Sequence, residues 1–588
     1  MRGTKAILAI TLLAMIVGLS SAATAQVKFL GVGSSAMFTG SAVGTFNSVC
    51  SPLPGSDCRH YSIGGKNSGD GQNFAQAVDQ RSNSIPVEGG NLWVVWNAAS
   101  NPVQIWAYLT VDSIVGNRCF FASPRCLLQV DSGVLTTAGQ NRIASNLFLG
   151  GKADEASLPS NVLAALQTTF TAALTDIRPE DAKFQTTRIL KAYKASDVSG
   201  LGYGVTSANC PSATLLIGCQ IKGTWGGAAT PIQFNISGKD PITASKVPAS
   251  KTISIGAAPI IFVYNNTGPG LSGGGFTDIT YSEAAAVWDG TKGLASDLRG
   301  GVGANPLNVI LREPLSGTMT TTEFNVFRTL LPPKYGNPKD SQEKGIDLSV
   351  GACPGLGCPN PLQLASKNGG VRLRSIGTGQ MISGNNGVGG IKNLADSVGY
   401  TFFSFGNVAP IAGAGGVGRY VTLDGVDPVA SSYTNGVLPT CTAPCPVTPG
   451  TSYPHLRDGS YRAWSILRLI TDASGSNAAN AQAVVSATQE LINATVPDFV
   501  PAVATTDGDP GMPYYRSHFK LAGVAGNPNN GNGGAEKGGD VGGCPFNKNT
   551  DPDKTCFRLN GTPNKASEPS YCNYPLHVAQ ACDLSPNH

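Results

Sequence analysis

The stretch Arg312-Glu313-Pro314-Leu315-Ser316-Gly317-Thr318 places a guanidinium, two hydroxyls and a glycine turn within reach of one point. An apolar run, Leu307 to Leu311, precedes it, and a helical pattern, Met319 to Leu331, follows. A strand that turns through Ser-Gly-Thr into a helix leaves unpaired N–H groups and the positive end of a helix dipole beside those hydroxyls, an arrangement suited to a tetrahedral oxyanion. Arg312 adds a planar, permanently charged fork that fits phosphate or a partner carboxylate. A second stretch, Thr175-Asp176-Ile177-Arg178-Pro179, sets a hydroxyl and a carboxylate just before a helix start, with Pro179 suited to the first helical position. Taken alone, these residues are better accounted for by ordinary N-capping by Thr or Asp.

Other motifs carry less. Gly270-Leu271-Ser272-Gly273-Gly274 has the spacing of a hydrolase elbow, but it lies in a glycine run rather than at a strand-to-helix turn. Gly413 to Gly418 has dinucleotide-fingerprint spacing, yet the strand-like Arg419–Leu423 follows it instead of a helix. His455 lies near Asp458 with no nucleophile indicated. Asn547, Asn549, Asp551 and Asp553 alternate as oxygen ligands would, without the distal glutamate of a calcium loop, and read as a solvated turn. These observations indicate neither catalysis nor a metal or other cofactor.

Composition bounds the setting. A chain of 588 residues has room for two or three domains. Only 13% of it is charged and 74 residues are glycine, which suits a loop-rich exported protein. The net charge of +4 is too small to imply nucleic acid or an anionic membrane surface, so any anion preference must be local. Arg2 and Lys5, then the apolar run Ala6–Gly18 and the small-residue site Ala23-Thr24-Ala25, read as a signal peptide cleaved after Ala25, giving a periplasmic or secreted mature chain that does not span the membrane. The cysteines form sequence-local couples: Cys50/Cys58, Cys119/Cys126, Cys210/Cys219, Cys353/Cys358, Cys441/Cys445, Cys544/Cys556 and Cys572/Cys582. An even number in an exported chain implies disulfides, with nearest-neighbour pairing the simplest arrangement.

Along the chain, Gln26–Gly33 reads as a strand entering the glycine turn Gly31 to Ala36, and a second turn, Gly64 to Gly71, precedes a helical stretch from Gln72 to about Gln80. Asn91–Trp96 and Val103–Val111 suggest a hairpin; Val162–Leu174 has helical spacing; Thr252–Tyr264 is β-rich. Helices are expected over Asp278–Leu298, Gly389–Asp396 and Asn477–Ala494, and strands over Val398–Phe405 and Tyr461–Ile470. Alternating strands and helices predict an α/β core.

Taken in order, these pieces resemble the phosphate-binding proteins of bacterial phosphate ABC transporters, within the type II periplasmic binding proteins. Arg312-x-x-x-Ser316-Gly317-Thr318 has that family's arginine-to-SGT spacing. Gly31-Val32-Gly33-Ser34-Ser35-Ala36 is similar to its first glycine turn, which implies phosphate contacts from Ser35 and the N–H of Ala36. Asn67-Ser68-Gly69 resembles its Ser-Ser-Gly turn, and Thr175-Asp176 its Ser-Asp pair, whose carboxylate accepts the proton of bound hydrogen phosphate. Ile376 to Gly379, Thr277 to Leu298 and Asp396 to Tyr400 add similarity.

The resemblance implies a two-lobed α/β fold with insertions and a disulfide-rich C-terminal tail. Residues 26–266 and 451–500 would form one lobe and 267–450 the other, with 1–25 the leader and 501–588 a Gly/Asn-rich linker and cysteine-containing tail. It implies a monomeric, non-enzymatic receptor for inorganic phosphate or a related oxyanion, partnered by an ABC transporter permease. The pattern departs at Asn67, where the family has serine, and in the roughly hundred-residue spacing between Asn67 and Asp176. The unusual length, the cysteine couples and the glycine-rich tail support an alternative, a secreted structural or interaction protein that retains the scaffold.

Overall fold

The computed structural model describes residues 25–64, 74–81, 84–179, 181–183, 186, 233–273, 275–312, 315–327, 363–375, 377–384, 390–439, 448–461, 463–490 and 496–512. The first strands are β1 (Gln26–Gly33), β2 (Cys58–Ile63), β3 (Ala75–Asp79), β4 (Ile85–Gly89), β5 (Leu92–Asn97), β6 (Gln104–Thr110), β7 (Leu127–Val130) and β8 (Ala172–Thr175). Then come β9 (Ser250–Asn265), β10 (Asp278–Ile279), β11 (Asn308–Arg312), β12 (Gln363–Ala365), β13 (Val371–Ser375), β14 (Ser397–Phe402), β15 (Gly418–Leu423), β16 (Trp464–Asp472) and β17 (Val500–Pro501). The main sheet runs β12-β13-β11-β14-β9-β16-β8-β1-β6-β5-β2, and β4-β3-β7 form a separate small sheet. The fold is mixed α/β.

Period-two alternation builds two apolar faces on the β1 half of the sheet. Phe29, Trp106 and Tyr108 point into one core, while Leu30, Val32, Ala107 and Leu109 point into the other. Helices α1 (Phe38–Gly44), α2 (Ser113–Phe121) and α3 (Ser160–Leu166) cover this half. Val43 of α1 joins the first core, and Ile114 and Val162 join the second. In the β11 half, α4 (Tyr281–Trp288) buries Trp288, whose indole N–H donates to the Ile310 carbonyl at 3.1 Å. Helices α5 (Gly317–Thr322), α6 (Gly377–Ser383), α7 (Phe405–Ala412) and α8 (Ser476–Gln489) complete the set used below.

Strand β9 joins the halves. Ser250–Pro259 pair antiparallel with β16, and Ile260–Tyr264 pair with β14. One continuous strand thus belongs to both parts of the sheet, so the elements on either side of it meet along a shared seam.

Several sequence expectations hold. The β5–β6 hairpin forms, β9 spans the β-rich segment, and Cys50–Cys58 and Cys119–Cys126 are bonded. The other cysteine couples and Asn547–Asp553 lie outside the described residues. Other expectations fail. Gln72–Gln80 contains the buried strand β3, because pairing with β4 and β7 overrides the helix preference of its Ala and Gln residues. Val162–Leu174 divides into α3 and β8. The helix expected to Leu298 ends at Trp288, where Gly290 turns the chain with φ +80°. Residues 390–396 form turns rather than a helix. After α5 the chain widens into π-type turns over Glu323–Phe327.

Residues 496–512 stay on the body. β17 pairs with β9, and Arg457 reaches Asp509 at 2.7 Å. Just before β17, buried Asp498 accepts from the Phe405 N–H at 2.8 Å, at the start of α7. Burial pushes its carboxyl up to about 6 from 3.8, against the opposing effect of the bonds from Phe405 and Ser404. Its stability contribution is therefore full below about pH 4 and lost as pH rises through about 6. Asp498→Asn is expected to be more stable than the native chain at pH 8, by up to ~3 kcal/mol, and indistinguishable near pH 4. Urea denaturation at the two pH values checks this; equal stability at pH 8 refutes it.

Candidate functional site

Two of the turns singled out in the sequence, Thr175-Asp176 and Ser316-Gly317-Thr318, meet at the seam between the two halves of the sheet. β8 ends at Thr175 and hands on to Asp176, while β11 ends at Arg312 and hands on to the Ser316–Thr318 turn at the start of α5. Asp176 is 1% exposed. Its carboxylate accepts from the Ser113 hydroxyl and, at 3.3 Å, from the Thr318 hydroxyl. The Ser465 hydroxyl donates to its carbonyl at 2.6 Å. Gly317 lies so close that a β-carbon there would stand 1.7 Å from Asp176 Oδ1. The contact, rather than an unusual backbone angle, therefore requires glycine at this position.

The charge balance around Asp176 is uneven. Burial pushes its carboxyl above the ordinary value, while the Ser113 and Thr318 hydroxyls and the Arg312 guanidinium favour the ionised form. Burial is the largest contribution, so the carboxyl lies above its ordinary value despite these partners.

Arg312 is 3% exposed. One terminal nitrogen donates to Asp112 Oδ1 at 2.9 Å and the other to the Thr378 hydroxyl at 3.1 Å, and its backbone N–H reaches Tyr400 Oη at 3.3 Å. Thr378 and Ser35 share a hydrogen bond of 3.1 Å. The Ile114 N–H donates to the Leu315 carbonyl at 3.2 Å, a further link across the seam.

The remaining sequence candidates occupy several positions. Ser316 caps α5, accepting from the Met319 N–H at 3.2 Å. The Ala36 N–H turns to Ser34 Oγ at 3.4 Å. The Thr175 hydroxyl closes its own turn by donating to the Ile177 carbonyl at 2.9 Å, and it accepts from Asn117 at 3.0 Å. Asn67 and Ser68 lie outside the described residues. Thus Ser35, Asp176, Arg312 and Ser316–Thr318 gather within one cluster of contacts, while Thr175 supports it from behind.

Three members were not assigned to the site from sequence: Asp112, Ser113 and Thr378, the last noted only within the similar stretch Ile376 to Gly379. Asp112 occupies the N-cap position of α2 but makes no capping bond with its side chain, turning it to Arg312 instead. A strand-end Asp-Ser before a helix, the same signature as Thr175-Asp176, was the available signal. Thr378 follows Gly377, whose φ of +72° lets the chain turn sharply into α6.

A cavity of about 250 Å³ abuts this cluster. Ser35, Asp112 and Thr378 line it, together with Glu88, Asn91 and Arg142. Asp176, Arg312 and Ser316–Thr318 do not line it; they are buried behind that wall. Among the described residues, no group of three or more His, Cys, Asp or Glu side chains could hold a metal, and no helix is long and apolar enough to cross a membrane. His455 sits beside Asp458 and Ser460, 26% exposed at its side chain.

No protein-family profile matches the chain, and no curated protein matches it. Solved structures similar to it include phosphate-binding proteins. The high-affinity periplasmic phosphate-binding protein PfluDING, solved with phosphate bound, is 12% identical, with a TM-score of 0.30 over 80% of this chain and 90% of that one. A phosphate-binding protein from Stenotrophomonas maltophilia is 13% identical, with a TM-score of 0.30 over 68% of this chain and 84% of that one. An ABC-type phosphate transport receptor from Vibrio cholerae is 12% identical, with a TM-score of 0.24 over 42% of this chain and 71% of that one.

Proposed function

We propose that this chain is an exported binding protein that holds inorganic phosphate, or a similar protonated tetrahedral oxyanion, between two lobes without chemically altering it. The observation that supports this most is the buried Asp176 carboxylate against the Ser316-Gly317-Thr318 turn, with Arg312 close enough to act on its charge. A buried acceptor beside hydroxyls and a guanidinium suits an anion that brings its own proton. HPO4(2−) and H2PO4(−) have that proton, and sulfate at neutral pH does not. Facing Asp176, sulfate would meet like charge and leave an acceptor unpaired, which costs several kcal/mol in a dry site. Arsenate shares phosphate's protonation chemistry and would be poorly rejected.

In this reading, Ser35, Ala36, Asn67 and Ser68 contribute from one lobe and Arg312, Ser316, Gly317 and Thr318 from the other, with Asp176 between them. Residues 26–266 with 451–500 form the first lobe and 267–450 the second. Ligand favours closure because only the closed form satisfies both sets of contacts. A permease of the ABC class is the partner such a receptor would serve.

Thermal unfolding tests the binding itself. A ligand held only by the folded chain raises the midpoint progressively with its concentration. Phosphate is expected to produce that rise and potassium sulfate at equal ionic strength is not; equal midpoints with and without phosphate would count against the proposal.

A further inference from the structure

We propose that Asp112 restricts the site to the singly charged form of its oxyanion. The inference rests on the phosphate reading above and deepens it. Asp112 and Arg312 are each 3% exposed, and the carboxylate engages the guanidinium at 2.9 Å. Asp112 also lines the cavity that abuts the site, so it is part of the wall an incoming ligand meets. The guanidinium that would neutralise a bound anion is therefore already matched by one buried carboxylate, and Asp176 supplies a second.

The other charged groups near this wall do not reverse the balance. Glu88 accepts from the Asp112 N–H at 3.2 Å, and Arg118 lies within electrostatic reach behind it. Arg142, which also lines the cavity, donates to Gln140 through Nε at 2.9 Å. Tyr108 donates to the Ser34 carbonyl, and burial holds its hydroxyl well above its ordinary value, so it stays neutral. The Tyr400 hydroxyl oxygen accepts from the Arg312 backbone N–H at 3.3 Å. Among the described residues, this wall and the groups buried behind it carry three carboxylates, Glu88, Asp112 and Asp176, against the guanidinium groups of Arg142 and Arg312. A dianion would add two further negative charges where the described residues already hold one carboxylate more than guanidinium, whereas a monoanion adds one and brings a second proton to donate, one each for Asp112 and Asp176.

The consequence is a proton taken up on binding wherever free phosphate is doubly charged. Calorimetric titration of the full chain with inorganic phosphate, from about pH 5.5 to about pH 8.5, is expected to show affinity falling roughly tenfold per pH unit above phosphate's second ionisation, near neutrality. Repeating the titration at the upper pH in buffers of different ionisation enthalpy is expected to show about one proton taken up per phosphate bound. In Asp112→Asn the dianion is no longer opposed by that charge, and both the slope and the proton uptake shrink towards zero. An affinity independent of pH in the native chain overturns the inference while leaving phosphate binding intact. A slope that survives unchanged in a folded Asp112→Asn also overturns it, and assigns the proton to Asp176. Absence of phosphate binding at every pH instead overturns the phosphate reading itself, and this inference with it.

Discussion

Asp176→Asn is expected to lose the discrimination between phosphate and sulfate. The native carboxylate accepts from Ser113 and Thr318, stands against Gly317 and is buried. An amide of nearly the same shape keeps one acceptor and replaces the other with an N–H donor. It can donate to a fully ionised oxyanion, so sulfate gains a hydrogen bond and loses the like-charge penalty. Phosphate loses its charge-assisted bond, a change of about 1.5–3 kcal/mol, or roughly ten- to a hundredfold in affinity. The variant should remain folded, because the native carboxyl is raised by burial and neutralising it removes a cost present at neutral pH. Binding of phosphate and sulfate to the variant checks this. Unchanged rejection of sulfate would show that Asp176 is not the selecting group.

Gly317→Ala is expected to abolish binding while leaving most of the fold intact. The added β-carbon would stand 1.7 Å from Asp176 Oδ1 and 2.9 Å from Ser113 Cβ. No real contact is that short, so Asp176 must leave the Ser316–Thr318 turn, and the seam between the β8 and β11 ends must open. The strain of fitting the methyl group lowers stability by about 1–3 kcal/mol, modest for a chain of this size. The loss of binding should be far larger, because the turn and the carboxylate no longer act on the same ligand. A variant that binds phosphate with native affinity would show that the turn and Asp176 do not form one site.

The parts of this arrangement legible in the sequence were those written into local turns. Arg312 with Ser316-Gly317-Thr318 is a strand-to-helix turn, and its residue types declare it without knowledge of the rest of the fold. Asp176 was legible for the same reason, following β8 and preceding the helical turn at Pro179. Asp112 was not, although it too ends a strand segment before a helix. Its meaning depends on Arg312, 200 residues away, and its unused capping position is visible only in three dimensions. Thr378 is a comparable case, connecting Ser35 to Arg312 across the seam. The same distinction separates the secondary-structure results. β9 announces itself through a long run of β-branched and aromatic residues, whereas β3 is short and rich in Ala and Gln, and becomes a strand because β4 and β7 flank it.

Calorimetric titration of the oxidised, phosphate-stripped chain with phosphate and then with sulfate tests the central claim most directly. The arrangement around Asp176 predicts saturable heat with phosphate at one site per chain and none with sulfate. No heat with either anion, or equal binding of both, would contradict it and would leave the Ser-Gly-Thr turn as part of the scaffold alone.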